Sequence, residues 1–279
     1  MIKIIRFFDL FRFLEFTLPD QISFIKLAIS KNLMNLSQLR YIYFVGIGGI
    51  GMSALARWFN RHQYEVAGYD RQVSPLTRKL EEEGISIHYE ANLDLLPPAF
   101  LSTDPQVKKS CLVVYTPAVP NSHQELQYFR QKEYLILKRA AVLGLLTQDY
   151  PTIAVAGTHG KTTTSSMIAH ILHKAQRNPT AFLGGILQNY NSNLILGQMR
   201  EEKSPMVVEA DEYDKSFLHL SPQMAEITSM DADHLDIYGN KSHLRDTFME
   251  FSKKIRMKGS LFIKKGLDLK HDIGNEPIS

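Results

Sequence analysis

Cysteine is nearly missing from this chain: one residue in 279, Cys111. That excludes an internal disulfide framework and suits a reducing compartment, so a cytoplasmic location is expected. Within the apolar run "CLVVYTP", Cys111 reads as a core thiol. Concentrated positive charge is missing too. Lys plus Arg number 32 against 29 Asp plus Glu, a formal net charge of +3, and no run of five basic residues forms a stripe. Nucleic acid is therefore not an expected partner. Long apolar segments are also absent. In residues 1–33 the aromatic-rich sequence is broken at Lys3, Arg6, Asp9, Arg12 and Glu15, so neither a signal-type apolar stretch nor a membrane span forms, and no membrane partner is expected. A step of three also drifts around a helix and smears those charges over its surface. Residues 1–33 read as an extension of unknown role upstream of a natural start at Met34.

What is present is a soluble globular composition, 44% hydrophobic and 22% charged. The length exceeds the roughly 100 to 200 residues of one domain, which predicts two. The first opens with "YIYFVGIGGIGMSALARWF", residues 41–59: an apolar strand, a turn on Gly46, Gly48, Gly49 and Gly51, then helical spacing. Gly46, Gly48 and Gly51 satisfy G-x-G-x-x-G, where glycines allow a tight turn and let a helix N-terminus approach a diphosphate. The next strand, "YEVAGYD", ends at Asp70, where such folds place a ribose-binding carboxylate. Further strands at "ISIHY", "CLVVYTP" and "YLILK" complete the pattern of a parallel α/β sheet. The motif alone leaves NAD, a flavin and a nucleotide-sugar open.

Pro151 and a new apolar strand from Thr152 place the domain boundary near residue 150. "TIAVAGTHGKTTTSSM", residues 152–167, reads as strand, glycine turn and helix. The G-K-T core of a phosphate-binding loop is intact, but the usual first glycine is Val155 and a glycine stands at Gly157 instead. Backbone N–H groups across Gly157, Thr158, His159, Gly160, Lys161, Thr162 and Thr163 are expected to face phosphate oxygens, with Lys161 supplying charge and Thr162 a Mg²⁺ ligand. Glu209 closes the strand "MVV", at a C-terminal end where α/β sheets hold ligands. Beyond it, Asp211, Glu212 and Asp214 read as a solvated acidic loop. "AEITSMDADHLDIYG" adds a strand followed by Asp231, Asp233, His234 and Asp236, with His234 a candidate metal ligand.

"GTHGKTTT", "EADEYDKSFLHL" and "DADHLDIYG", following "GIGGIGMSALA", closely resemble the Mur ligases of peptidoglycan synthesis, from about Met34 to Ser279. The resemblance implies a Rossmann-like UDP-sugar-binding domain over 34–150. A P-loop α/β central ATP-binding domain would follow over 151–279, incomplete at its end. It implies an ATP-dependent amide ligation in cell-wall biogenesis, with UDP-N-acetylmuramate, ATP and L-alanine as substrates and an acyl phosphate as intermediate. It assigns Lys161, Glu209 and His234 to catalysis, and Thr162, Glu209 and His234 to Mg²⁺. Gly46, Gly48, Gly49, Gly51 and Asp70 pass to the UDP-sugar. The family's third, C-terminal domain has no counterpart in this sequence, so a truncated chain that binds UDP-sugar without turnover is one expectation. Ligation of a murein tripeptide in cell-wall recycling is another, and an NAD(P) enzyme a third, opposed by the P-loop.

Overall fold

A computed structural model describes residues 36–197, 204–231, 241–267 and 269. The chain divides into two units, Met1–Gln38 and Leu39–Ser279. Within the first, the described residues form a 3-10 turn, Leu36–Gln38.

The second unit holds two sheets. Its first strand, β1 (Tyr41–Val45), is apolar throughout, and four of its five residues are buried. Such a run cannot sit at a wet edge, and it occupies the sheet centre, as parallel strands covered on both faces do. In chain order there follow α1 (Ile50–Arg61), β2 (Glu65–Tyr69), α2 (Pro75–Glu82), β3 (Ser86–His88), β4 (Cys111–Tyr115), α3 (Gln124–Gln131), β5 (Leu135–Lys138) and α4 (Arg139–Asp149). The strand order is β3-β2-β1-β4-β5, parallel throughout, with Tyr41 opposite Glu65 on one side and Cys111 on the other. The order reverses at β1, which makes a crevice beyond its C-terminal end, where the glycine turn lies. One face is packed by Tyr43, Phe100, Phe129 and Tyr134 together with the fully buried Cys111, whose thiol burial pushes up to about 12.

Beyond α4 come β6 (Thr152–Ala156), α5 (Lys161–Lys174), β7 (Thr180–Leu187), β8 (Ser192–Ile195), β9 (Met206–Ala210), a 3-10 turn Tyr213–His219, β10 (Met224–Ile227), α6 (Lys241–Ser252) and β11 (Ser260–Ile263). They build a six-stranded sheet in the order β11-β10-β6-β9-β7-β8, parallel except for β8 against β7. The β7–β8 hairpin packs onto α1 of the first sheet through a buried polar latch. Arg57, 6% exposed, donates to both Glu83 carboxylate oxygens at 2.8 and 2.5 Å, to Ser192 Oγ at 3.1 Å and to Asn193 Oδ1 at 3.2 Å. The Asn193 amide in turn donates to the Ile50 carbonyl and to Ser53 Oγ. Charge-assisted bonds of this kind contribute about 1.5–3 kcal/mol each, and unpairing a buried guanidinium would cost more than one of them. The latch holds α1 at a fixed distance from the second sheet.

Candidate functional site

The glycine loop that the sequence marks as a candidate phosphate cradle is built between the end of β6 and the start of α5. Gly157 (φ +135°) and Gly160 (φ +82°) take left-handed backbone that side chains resist, so the chain turns sharply and presents the first N–H groups of α5 outward. Residues after β10 brace the turn from below. The Ser229 hydroxyl accepts from the His159 N–H at 2.7 Å and lies 3.0 Å from Thr158 Oγ1, which accepts from the Asp231 N–H at 2.9 Å. Thr228 donates to the carbonyls of Ala156 and His159. Sequence reading found the loop but not these two hydroxyl braces. A short hydroxyl residue after a strand carries no distinctive signal.

Lys161 spends all three ammonium hydrogens. It donates to the Gly157 carbonyl at 2.8 Å and to both oxygens of Glu212 at 3.0 and 2.8 Å. Glu212 is 1% exposed, which corrects its reading as part of a solvated acidic loop. The reason is its position: the chain folds straight from β9 into the 3-10 turn, driving Glu212 inward onto the ammonium while Asp211 stays half-buried. Thr162 Oγ1 donates to Glu209 Oε1 at 3.1 Å, and the Gly184 N–H donates to Glu209 Oε2 at 2.9 Å. Thr162 and Glu209 are thus brought together from α5 and β9, and Thr163 is exposed beside them in the first turn of α5. Two hard oxygen donors at a phosphate loop fit Mg²⁺, which takes one or two carboxylates and completes its shell with phosphate and water oxygens. Among the described residues no group of three His, Cys, Asp or Glu forms a self-contained metal cluster. His234, with Asp233 and Asp236, lies outside the described residues.

The glycine turn of the first sheet faces the same space. Gly49 caps α1 without a side-chain bond, leaving the N–H groups of its first turn without a capping side chain. Asp70 does not stand apart at the strand end: its Oδ2 accepts the Gly48 N–H at 2.7 Å and so braces the turn. Gly46 accepts from the Gly49 N–H at 3.4 Å through its carbonyl, closing the turn. A cleft of about 440 Å³ is lined on one wall by Gly49, Gly51 and Met52, and on the other by Lys161, Gly184 and Glu209. Arg139, the first residue of α4, lines it as well. Burial lowers its pKa, with Asp211 and Glu209 working against that shift.

The arrangement can hold phosphate oxygens at the α5 terminus and a second anionic group at the α1 terminus, with one cleft between them. Comparison with known proteins follows the same division. Residues 41–151 match the Mur ligase family catalytic domain and residues 155–273 the Mur ligase middle domain. The UDP-N-acetylmuramate–L-alanine ligase of Flavobacterium psychrophilum is 53% identical over 237 residues, which are 85% of this chain and 51% of that protein. That of Cytophaga hutchinsonii is 50% identical over 236 residues, 85% of this chain and 50% of its own. The chain spans about half the length of the curated relatives it matches. Among solved structures, the UDP-N-acetylmuramate-alanine ligase of Thermotoga maritima superposes with a TM-score of 0.69 at 32% identity, over 84% of this chain and 51% of that one. A Neisseria ligase for UDP-N-acetylmuramate and a diaminopimelate-containing peptide shares the fold, with a TM-score of 0.72 at 24% identity, over 82% and 72%. With both sheets matched by domains of one family and relatives at half identity across them, the chain belongs to the Mur ligase family.

Proposed function

We propose that this chain carries the substrate- and ATP-phosphate-binding halves of a ligase joining L-alanine to the lactyl carboxylate of UDP-N-acetylmuramate in the cytoplasm. The division between the halves falls near residue 150. The supporting observation is the single cleft in which Gly49 to Met52 face Lys161 and Glu209. In this reading the α1 N-terminus receives the UDP-sugar diphosphate and the loop Gly157–Thr163 receives the phosphates of ATP. A carboxylate is a poor electrophile until one oxygen becomes a good leaving group. A lactyl carboxylate oxygen therefore bonds to the γ-phosphorus of ATP as the bond to ADP breaks. The alanine amine then forms the C–N bond, losing a proton, and phosphate departs with that oxygen. The chain's own contribution is positioning and charge: Lys161, exchanging its Glu212 contact for phosphate oxygens, neutralises the transferring phosphoryl group, and the α5 N–H groups fix its oxygens. Thr162 and Glu209 would hold Mg²⁺, which supplies further charge neutralisation when bound. His234, outside the described residues, is proposed as a further Mg²⁺ ligand. Among the described residues no helix is long and apolar enough to cross a membrane.

The test is a chimera in which this chain is continued by the remaining half of the Flavobacterium psychrophilum relative. ADP release should require UDP-N-acetylmuramate and L-alanine together, and Lys161→Ala should lower it by about 10³-fold. Release that ignores alanine, or survives the loss of Lys161, would refute the proposal.

A further inference from the structure

Arg139 belongs to no motif, yet it lines the cleft together with Gly51 and Lys161. Its guanidinium lies against the first turn of α1, so close that a Cβ added to Gly51 would meet Nη1 at 2.7 Å and Cδ at 3.0 Å. It is only partly exposed. Among the described residues its guanidinium has no hydrogen bond and no carboxylate within ion-pair distance, and Asp211 and Glu209 act on it only from farther off. Arg57, the other inward arginine, is held by four hydrogen bonds. A planar fork of donors thus stands beside a helix N-terminus, in the same cleft as Lys161. Lys161 is already paired with Glu212, whereas the Arg139 guanidinium has no close anion among the described residues.

We infer that Arg139 is a substrate-binding residue that clamps an oxyanion of the sugar nucleotide, a diphosphate or carboxylate oxygen pair, against the first turn of α1. The inference rests on reading the crevice of the first sheet as a sugar-nucleotide site. The fork geometry suits either anion bidentately, and a lysine would offer only a point charge. The side chain enters from α4, the segment through which the chain passes from the first sheet to the second. The clamp therefore ties the bound substrate to both halves.

Calorimetry on the 279-residue chain tests this with Arg139→Gln and Arg139→Lys, titrating UDP-N-acetylmuramate, UDP-N-acetylglucosamine, inorganic pyrophosphate and Mg–ATP. Arg139→Gln should weaken UDP-N-acetylmuramate ten- to a hundredfold, and Arg139→Lys several-fold despite its retained charge. Mg–ATP should stay within about twofold, which guards against a general loss of folding. An equal loss for UDP-N-acetylglucosamine and pyrophosphate assigns the clamp to the diphosphate. A loss confined to UDP-N-acetylmuramate assigns it to the carboxylate. Should wild-type protein bind UDP-N-acetylmuramate while both variants bind it equally well, the inference fails and the functional reading stands. Should pyrophosphate bind in an Arg139-dependent manner while UDP-sugars are ignored, Arg139 clamps an anion other than a sugar nucleotide, and both the inference and the functional reading fail.

Discussion

Glu125 is fully buried with Tyr43, and His88 beside them is partly buried. The Tyr43 hydroxyl lies 2.7 Å from Glu125 Oε2 and 2.6 Å from His88 Nε2, and His88 Nδ1 lies 2.8 Å from the Glu90 carbonyl. If His88 donates to that carbonyl, its other nitrogen is an acceptor, and an ionised Glu125 would leave Tyr43 with one proton for two acceptors. Protonating Glu125 completes the chain of donors. Burial pushes its carboxyl in the same direction, up to about 7, with the Tyr43 bond only partly opposing. Between the ordinary carboxylate range near 4.5 and about 7, the folded chain therefore holds a proton that the unfolded chain has released, and stability falls as pH rises through that window. His88 and His123, both lowered by burial, act oppositely: their contribution is present above about 6.5 and is lost as pH falls below it. Glu125→Gln removes only the first effect. Urea unfolding at pH 5 and pH 8 should show the variant gaining on the wild type by roughly 2–2.5 kcal/mol between the two. A difference independent of pH would rule out a buried, proton-retaining Glu125.

At the scale of elements, α4 is packed so tightly on the turn Tyr213–His219 that a Cβ at Gly144 would overlap the His219 carbonyl oxygen. Glycine within a helix costs roughly 0.5–1 kcal/mol relative to alanine, so Gly144→Ala on an open face would stabilise. Here the obstacle is backbone, which cannot rotate aside, and overpacking costs about 1–3 kcal/mol. The clash should win, with a net loss of about 1–2 kcal/mol in urea unfolding; a more stable variant would show that α4 stands off the turn. Tight seating has a local consequence, because that turn follows Glu212 and fixes it on Lys161. The central strands were legible because "YIYFV", "CLVVY" and "TIAVA" are runs that only a doubly covered strand tolerates. The β7–β8 hairpin was not read, since glycines and asparagines interrupt its alternation. Glu212 was misread because acidic residues in a loop are usually solvated, and its burial depends on where β9 ends. Arg139 escaped notice because a single arginine at a helix start has no spacing to betray it.

At the scale of the molecule, both glycine turns were visible as motifs, but that they face one another was not. Their apposition depends on long-range contacts, above all the Arg57–Asn193 latch between α1 and the β7–β8 hairpin. That interface is buried and polar, and the two glycine turns line one cleft across it. In the proposed function a single cleft takes a sugar nucleotide on one wall and the phosphates of ATP on the other. The most direct measurement is calorimetric titration of UDP-N-acetylmuramate into the chain, alone and saturated with Mg²⁺ and a non-hydrolysable ATP analogue. One molecule of each should bind per chain, the second without displacing the first. Mutually exclusive binding, or binding of the nucleotide with no response to the UDP-sugar, would contradict it.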